Sequence, residues 1–192
     1  KTKARVLTYG FEPEATIRVS DIEYTSNKEG QPTGITFKLN EFIPASLAGG
    51  THFAPVRING SLGKSQAWSV AAAAAVGSVL GMNLVQVSEA LRDYHGPKGR
   101  LKILRGIKNS NIIDDTYNAS PASTRLALET LRDVPALRKV AVLGDMLELG
   151  DYSEKAHRAI GVLAAEVADI LICVGPLAIL IASTAAHKIP SD

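Results

Sequence analysis

The chain has 192 residues and a formal net charge of +2, and 46% of its residues are hydrophobic while 21% are charged. This length allows one large or two small domains, and the composition is that of a folded chain with a core rather than a disordered one. Because the basic residues are scattered along the sequence, we expect no dedicated nucleic-acid surface.

The first sixty residues are predicted to form β structure. β-branched and aromatic residues concentrate in short segments that are separated by Gly-, Pro- and Asn-rich turns. The predicted strands cover residues 4–9, 16–24, 34–39 and 53–58. The imperfect alternation of apolar and polar residues in the second segment favours an antiparallel, half-exposed strand.

Two helices are predicted after these strands. Residues 66–80 contain a run of alanines, which favours helix and lets a neighbouring element approach closely. Residues 84–94 place their apolar side chains near one stripe. The Gly-Pro-Lys-Gly sequence at 96–99 then interrupts the chain, and we predict a domain boundary there, with domains at 1–97 and 98–192.

The second half alternates between strands and helices. A β pair is predicted at 100–104 and 111–115, further strands at 139–144 and 169–174, and helices at 123–132, 153–167 and 176–186. This order is typical of an α/β fold with a Rossmann-like parallel sheet. Ligands of such sheets bind at the carboxyl ends of the strands. We therefore expect one functional edge formed by Asp114, Asp115, Gly144, Asp145 and Gly175.

Two features of the sequence concern its surroundings. The apolar stretch at 168–186 is divided by Gly175 and Pro176, so we predict a strand, a turn and a helix rather than membrane insertion. Cys173 is the single cysteine, and it is predicted to be a buried strand residue rather than a nucleophile. A lone cysteine fits a reducing compartment, and we expect the protein to be in the cytoplasm.

Both ends of the chain are interpreted as cuts within a longer protein.

The segment Gly-Ser-Leu-Gly-Lys-Ser at 60–65 lies between a predicted strand and a predicted helix, as a phosphate loop would. A P-loop requires a glycine five residues before its second glycine, and that position is Ile58. We therefore favour a turn followed by a helix start, with Ser61 or Ser65 as the helix cap, and keep a P-loop as the minor alternative.

The segment from Asp114 to Pro121 reads Asp-Asp-Thr-Tyr-Asn-Ala-Ser-Pro. Carboxylates and a carboxamide on a strand-to-helix loop can hold a ribose, a base edge or a hydrated Mg²⁺. Adjacent strand residues point to opposite faces, so one of the two aspartates is expected to brace the loop. Ser120 is the predicted N-cap, and Pro121 is expected to begin the helix.

A second polar segment follows the next strand. Residues 144–150 read Gly-Asp-Met-Leu-Glu-Leu-Gly, and Ser153 and His157 come next, one helical turn apart and near the expected site rim. Asp145, at a strand end, and His157 are the candidate catalytic residues, with a structural role for His157 as the favoured alternative. No grouping of histidines, among them His52, His95 and His187, predicts a metal site.

Together these segments resemble the Mur ligases. The resemblance implies that Arg100, Asp115 and Asn118 contact the nucleotide, while Asp114, Tyr117 and Pro121 shape the loop. It also implies an adenine contact at the start of the helix at 66–80. The family often carries His and Asn there, and this chain offers Gln66 instead.

The resemblance further implies that residues 1–97 are the latter, β-rich and helical part of a central ATPase domain, and that 98–192 are most of the carboxy-terminal domain. The implied parent is an ATP- and Mg²⁺-dependent amide ligase of peptidoglycan synthesis. It would join UDP-N-acetylmuramoyl-tripeptide to D-alanyl-D-alanine through an acyl phosphate. We expect a monomeric parent, and no activity from this chain alone.

Two alternatives remain open at this stage. One is a different ligase of the same superfamily, such as a folylpolyglutamate synthetase or an enzyme of another Mur step. Those enzymes carry a histidine at the position of Asn118 in this chain. The other is a module that binds a nucleotide or a partner without catalysis.

Overall fold

The computed structural model describes residues 4, 6–43 and 49–187. Its contacts divide the chain into two compact units, Lys1–Asp114 and Asp115–Asp192. The division falls after the β pair that was predicted to open the second domain. The boundary at 97/98 concerns the domains of the longer parent, and it stays a prediction.

The first unit contains a four-stranded sheet in the order β1-β2-β3-β4. Its strands are β1 (Tyr9–Gly10), β2 (Ile17–Ser26), β3 (Pro32–Ile43) and β4 (Gly50–Asn59). The last three pair antiparallel, as predicted for the second strand, and β1 pairs parallel to β2. Alternate residues such as Ile17, Phe37 and Ile58 are buried, so one face of the sheet forms the core of this unit.

The first predicted strand, at residues 4–9, is wrong for most of its described part, since only Tyr9 is in a strand and residue 5 lies outside the described residues. Val6 is 69% exposed, so this segment buries too little apolar surface to join the sheet. The chain is instead held by side chains, because Thr8 and Thr16 each accept the backbone N–H of the other through their hydroxyl oxygens.

Helix α1 (Lys64–Val79) begins two residues earlier than predicted, and α2 (Leu84–Ala90) ends four residues earlier. The predicted serine cap of α1 is wrong, because its N-cap is Gly63 and no side chain caps it. The chain leaves α2 through turns in which the N–H groups of Arg92 and Tyr94 bond to carbonyls three residues back. This exit allows His95 to form a β-bridge with Asn59.

Strands β5 (Lys102–Arg105) and β6 (Asn111–Asp114) form the predicted β pair, which is antiparallel and lies in the first unit rather than in the second. Residues 60–62 run beside the start of this pair. The N–H of Leu62 donates to the carbonyl of Leu101, and the N–H of Ile103 donates to the carbonyl of Gly60. These backbone bonds hold Ser61 in extended chain, away from the helix end that it was predicted to cap.

The second unit alternates as predicted. Helix α3 (Pro121–Asp133) precedes β7 (Val140–Gly144), a 3-10 turn (Gly150–Tyr152), α4 (Ser153–Val167), β8 (Ile170–Val174) and α5 (Ile179–Ala186). Strands β7 and β8 pair parallel over their full lengths, from Val140 opposite Ile170 to Gly144 opposite Val174. The mixed α/β class with a parallel sheet element is therefore confirmed.

The two faces of the β7–β8 pair differ. On one face Ala141, Leu143 and Cys173 pack with buried residues of α3, α4 and α5. On the other face the β-branched side chains are 41% to 64% exposed. This exposed face consists of Val140, Val142, Ile170, Ile172 and Val174.

Residues 168–186 form a strand, a turn and a helix, as predicted. Within the described part of the chain, none of the helices has the length and apolar character needed to cross a membrane.

Candidate functional site

The carboxyl ends of β7 and β8 lie side by side because the strands are parallel and in register. This register brings together three of the residues that were predicted to share an edge, namely Gly144, Asp145 and Gly175. Asp114 ends β6, which belongs to a separate two-stranded sheet. Asp115 is the first residue of the second unit and is partly buried.

Asp145 binds the backbone at the start of the last helical segment. Its Oδ1 accepts hydrogen bonds from the N–H of Leu177 at 3.0 Å and of Ala178 at 2.6 Å. A carboxylate that accepts N–H groups at the beginning of a helical turn is stabilised by the local peptide dipoles. The geometry therefore gives Asp145 a structural role in connecting β7 to the turn that follows β8.

Gly175 lies directly against this carboxylate. Its φ is +118°, and a Cβ placed there would lie 2.5 Å from Asp145 Cγ. A side chain would therefore displace the carboxylate from the two N–H groups that it binds.

His157 lies in α4 and is fully buried rather than at a site rim. Its Nε2 is 3.0 Å from the backbone nitrogen of Met146, and its Nδ1 is 2.7 Å from the carbonyl oxygen of Ser153. Both ring nitrogens are occupied by backbone groups. In this geometry the ring holds the loop that follows β7 and is closed to a substrate.

The loop between β6 and α3 is built as its local sequence predicts. Ser120 is the N-cap of α3, its hydroxyl accepts the N–H of Ser123, and Pro121 is the first helical residue. Asn118 is exposed, and its Oδ1 accepts the N–H of Ala119. Tyr117 is 71% exposed. The loop thus presents a carboxamide and an aromatic ring to solvent on a fixed helix start.

The first unit contains the other predicted nucleotide contacts. Gln66 is buried, and its Nε2 donates a hydrogen bond to the carbonyl of Arg100 at 3.0 Å. This bond ties α1 to the segment that carries the exposed Arg100 side chain. The amide nitrogen of Gln66 is therefore used within the protein.

Gly96 packs closely over the segment before α1. A Cβ at this position would lie 3.0 Å from Ser61 Cβ, and the Ser61 hydroxyl is closer still. Gly99 has φ +68° and is buried. Both glycines of the predicted interdomain linker are thus required by local packing or backbone geometry.

A metal site would need several ligands that converge on one point. Within residues 4, 6–43 and 49–187 no group of three or more His, Cys, Asp or Glu side chains is placed to hold a metal ion.

Sequence reasoning missed two contacts, the hydrogen bond of His157 to Met146 and those of Asp145 to Leu177 and Ala178. Both join residues from different elements. The positive φ of Glu148 also went unpredicted. The sequence contains only a weak signal for the contact between His157 and Met146, namely a histidine in a helix that follows an apolar loop.

Comparison with known families identifies the class of the second half. Residues 99–190 match the family described as "Mur ligase, glutamate ligase domain". The parallel strands, the loop that precedes α3 and the loop that follows β7 all lie in this range. The chain therefore carries a Mur ligase carboxy-terminal domain.

Two similar proteins share one name. The UDP-N-acetylmuramoyl-tripeptide–D-alanyl-D-alanine ligase of Rickettsia prowazekii is 46% identical over 79 residues, which are 41% of this chain and 17% of that protein. The ligase of the same name from Bacillus subtilis is 32% identical over 150 residues, or 74% of this chain and 33% of that protein. The chain thus spans a third or less of these two relatives.

Two solved structures of MurF are also similar to this chain. MurF from Acinetobacter baumannii superposes with a TM-score of 0.74 and 28% identity, over 96% of this chain and 36% of that one. A MurF ligase from Thermotoga maritima superposes with a TM-score of 0.72 over 91% of this chain and 37% of that one, at 24% identity. This second likeness shows the fold alone.

Proposed function

We propose that the chain is part of an ATP-dependent amide ligase that adds D-alanyl-D-alanine to UDP-N-acetylmuramoyl-tripeptide. The observation that carries this proposal is the match to the Bacillus subtilis ligase over 74% of the chain. Neither unit alone is long enough to contain such a match, so the similarity extends through both of them. The chain covers 33% of that relative, and the activity is proposed for the longer protein.

The proposed reaction joins a carboxylate to an amine in two steps. A carboxylate oxygen of the tripeptide attacks the γ-phosphorus of ATP, which releases ADP and forms an acyl phosphate. The amine of D-alanyl-D-alanine then attacks the acyl carbon and loses a proton, and the tetrahedral intermediate expels inorganic phosphate. An acyl phosphate hydrolyses in water, so the site must exclude solvent during the reaction.

This chain would contribute part of the nucleotide site. We assign nucleotide contacts to Asp115 and Asn118, because they lie on a loop between a strand end and a capped helix. Arg100 would bind phosphate, since a guanidinium forms paired charge-assisted hydrogen bonds with phosphate oxygens. Gln66 would offer its amide oxygen to the base. The neighbour of the same fold from Thermotoga maritima was solved in complex with ADP, which is consistent with an adenine nucleotide.

Mg²⁺ would enter as part of the ATP substrate. Among the described residues no group of three or more His, Cys, Asp or Glu side chains is placed to hold a metal ion. Mg²⁺ commonly keeps several waters and binds through substrate phosphates together with one or two carboxylates. Asp115 is the carboxylate we propose for that contact.

The parent's domain boundary is proposed near 97/98. The family match begins at residue 99, which supports a carboxy-terminal domain that starts there. The 192-residue chain is expected to have no ligase activity, because it lacks a phosphate loop of the required spacing at 60–65. We further propose that the parent acts as a monomer in the cytoplasm, where its nucleotide-linked substrate would be made.

Calorimetric titration of the chain with ATP and Mg²⁺ tests the nucleotide site. We expect weak binding that is lost in Asp115→Ala and in Asn118→Ala. The matched control is Asp151→Ala, which removes an exposed carboxylate of the same unit from the 3-10 turn. Equal loss in the control, or binding that is unchanged in Asp115→Ala, would show that this loop is not the nucleotide contact.

A phosphate-release assay on the same chain tests the reaction. ATP-dependent release of phosphate that requires both proposed substrates would contradict the expected inactivity of the isolated chain. In the longer protein the same assay should show release that depends on the tripeptide and on D-alanyl-D-alanine together. Release with a different amine substrate would assign another ligase step.

A further inference from the structure

We infer that His157 is a positioning residue whose ring fixes the backbone of the loop between β7 and α4. The inference deepens the proposed function, on which its catalytic consequence rests. The loop covers residues 145–149 and follows the carboxyl end of β7, the edge at which α/β sheets bind their ligands.

The hydrogen-bond partners of the His157 ring indicate which of its two nitrogens carries the proton. The carbonyl oxygen of Ser153 can only accept a hydrogen bond, so the proton of the imidazole is on Nδ1. The backbone N–H of Met146 can only donate, so Nε2 carries a lone pair. The ring is therefore a neutral Nδ1–H tautomer, held between the first residue of its own helix and the loop.

The loop is held at two points on one side of its tip. The N–H of Met146 is bound by His157, and the Met146 side chain is 1% exposed and packs in the core of the unit. One residue earlier, Asp145 is bound to the N–H groups of Leu177 and Ala178. These contacts fix the direction in which the chain leaves β7.

The tip itself is exposed and conformationally strained. Leu147 is 66% exposed, and Glu148 has φ +62°, a left-handed conformation that non-glycine residues rarely adopt. Such a conformation persists only where the surrounding contacts impose it, and it is concentrated at ligand-binding positions. The bond from Met146 to His157 holds the chain two residues before Glu148, and Leu149, which packs against the core, holds it one residue after. We assign the tip a contact with the reacting substrates and assign His157 the role of holding it.

Two amide substitutions separate the two hydrogen bonds of the ring. In His157→Gln the side-chain oxygen can reach the position of Nε2 and accept from Met146, while the bond to Ser153 is lost. In His157→Asn the shorter amide can donate from the position of Nδ1, while the acceptor for Met146 is lost. Both variants are neutral and smaller than histidine, so a residue that only fills space would respond alike to both.

Amide hydrogen exchange of the 192-residue chain is the first readout. We expect exchange at Met146 to Glu148 to rise about tenfold in His157→Asn, the factor that corresponds to one lost hydrogen bond, and to change little in His157→Gln. In the wild type, nitrogen NMR should show a bare Nε2 and a scalar coupling from it to the Met146 amide. Equal exchange in the two variants, or a proton on Nε2, would overturn the inference.

Kinetics of the longer ligase provide the second readout. We expect kcat to fall about tenfold in His157→Asn and to be largely restored in His157→Gln, with nucleotide affinity unchanged in both. If the exchange rates differ between the two variants but their kcat values do not, the ring positions a loop that takes no part in catalysis. The catalytic half of the inference then fails. If the wild-type protein has no ligase activity, the proposed function fails while the exchange result stands.

Discussion

The carboxylate of Asp145 occupies the space in which a side chain at Gly175 would lie. A Cβ on Gly175 would be 2.5 Å from Asp145 Cγ, and the same carboxylate accepts the N–H groups of Leu177 and Ala178. The glycine after β8 and the aspartate after β7 thus form one structural pair across the ends of two parallel strands. A side chain at Gly175, or the loss of the accepting oxygen at Asp145, should therefore disturb the turn into α5.

Gly175→Ala should destabilise the second unit by about 1–3 kcal/mol, because it adds both a clash with the carboxylate and backbone strain at φ +118°. The matched control is Gly150→Ala, which has φ +51° and nothing within 4 Å of the added Cβ. Urea denaturation followed by circular dichroism measures both. A loss in the control as large as that in Gly175→Ala would show that the clash with Asp145 adds nothing.

Asp145→Ala should destabilise the same unit by about 1 kcal/mol, the usual cost of losing a side-chain cap. Asp145→Asn keeps an oxygen that can accept the N–H groups of Leu177 and Ala178, so it should retain most of the stability. The comparison is made by thermal unfolding of the two variants and the wild type. If both variants lose the same stability, the charge rather than the hydrogen bonds is what the turn requires.

Gly161→Ala should destabilise the packing of α4 against α5. The added Cβ would lie 2.5 Å from the carbonyl oxygen of Ile181, which is backbone and cannot rotate away. Overpacking of about 1–3 kcal/mol should exceed the gain of about 1 kcal/mol in helix propensity. Gly77→Ala is the control, since its Cβ would be 3.2 Å from a side-chain atom, Val87 Cγ2, rather than from backbone, and it should be the less destabilising of the two. Chemical denaturation in which Gly161→Ala is the more stable variant would contradict the packing.

Cys173 should react slowly with alkylating reagents. Burial raises the pKa of its thiol above the ordinary value of 9.0, and a hydrogen bond with the backbone of Ala182 offsets this only in part. The raised pKa leaves less thiolate at any given pH, and thiolate is the reactive form. The rate of reaction with iodoacetamide, measured against pH, should therefore have its midpoint above 9.0, with Cys173→Ser giving the background. A midpoint at or below that value would refute the prediction.

Asp21 should make the free energy of unfolding vary slightly with pH in the acid range. The hydrogen bond and the charge of Lys38 lower the Asp21 pKa below its ordinary 3.8. A lowered pKa means that the stabilisation is complete above 3.8 and is lost as the pH falls through the folded-state pKa. Because both side chains are largely exposed, the effect should be small.

The test for Asp21 is thermal unfolding of the wild type and of Asp21→Asn at several pH values. Asparagine also tolerates the left-handed φ of +53° at this position, so the backbone is not the variable. The difference between the two proteins should shrink as the pH falls below 3.8. It should also vanish when Lys38 is replaced by methionine. A difference that is constant with pH would rule out the ion pair as its source.

Local chemistry explains which parts of the fold the sequence predicts well. The start of α3 is an example, because Ser120 and Pro121 act on the backbone within a few residues of themselves. The parallel pairing of β7 and β8 follows from a strand-helix-strand order that admits few topologies. In the first case the information lies within a few residues, and in the second it lies in the order of the strands and helices.

Tertiary contacts explain the features that the sequence did not predict. Ser61 was expected to cap α1, but residues 60–62 are paired with 101–103, and that competition is invisible in the local sequence. His157 was expected at a rim and is buried, and its ring binds the backbone of Met146, which belongs to the loop after β7 rather than to the helix of the histidine. The grouping of Gly144, Asp145 and Gly175 was predicted from strand order, whereas their mutual packing required the structure.

The exposed face of the β7–β8 pair affects how the chain should be handled in solution. Parallel sheets are generally covered on both faces, and here one face displays Val140, Val142 and Ile172 to water. A face of exposed β-branched side chains favours self-association as the protein concentration rises. Binding constants for this chain should therefore be measured at several dilutions, and light scattering should accompany each of them.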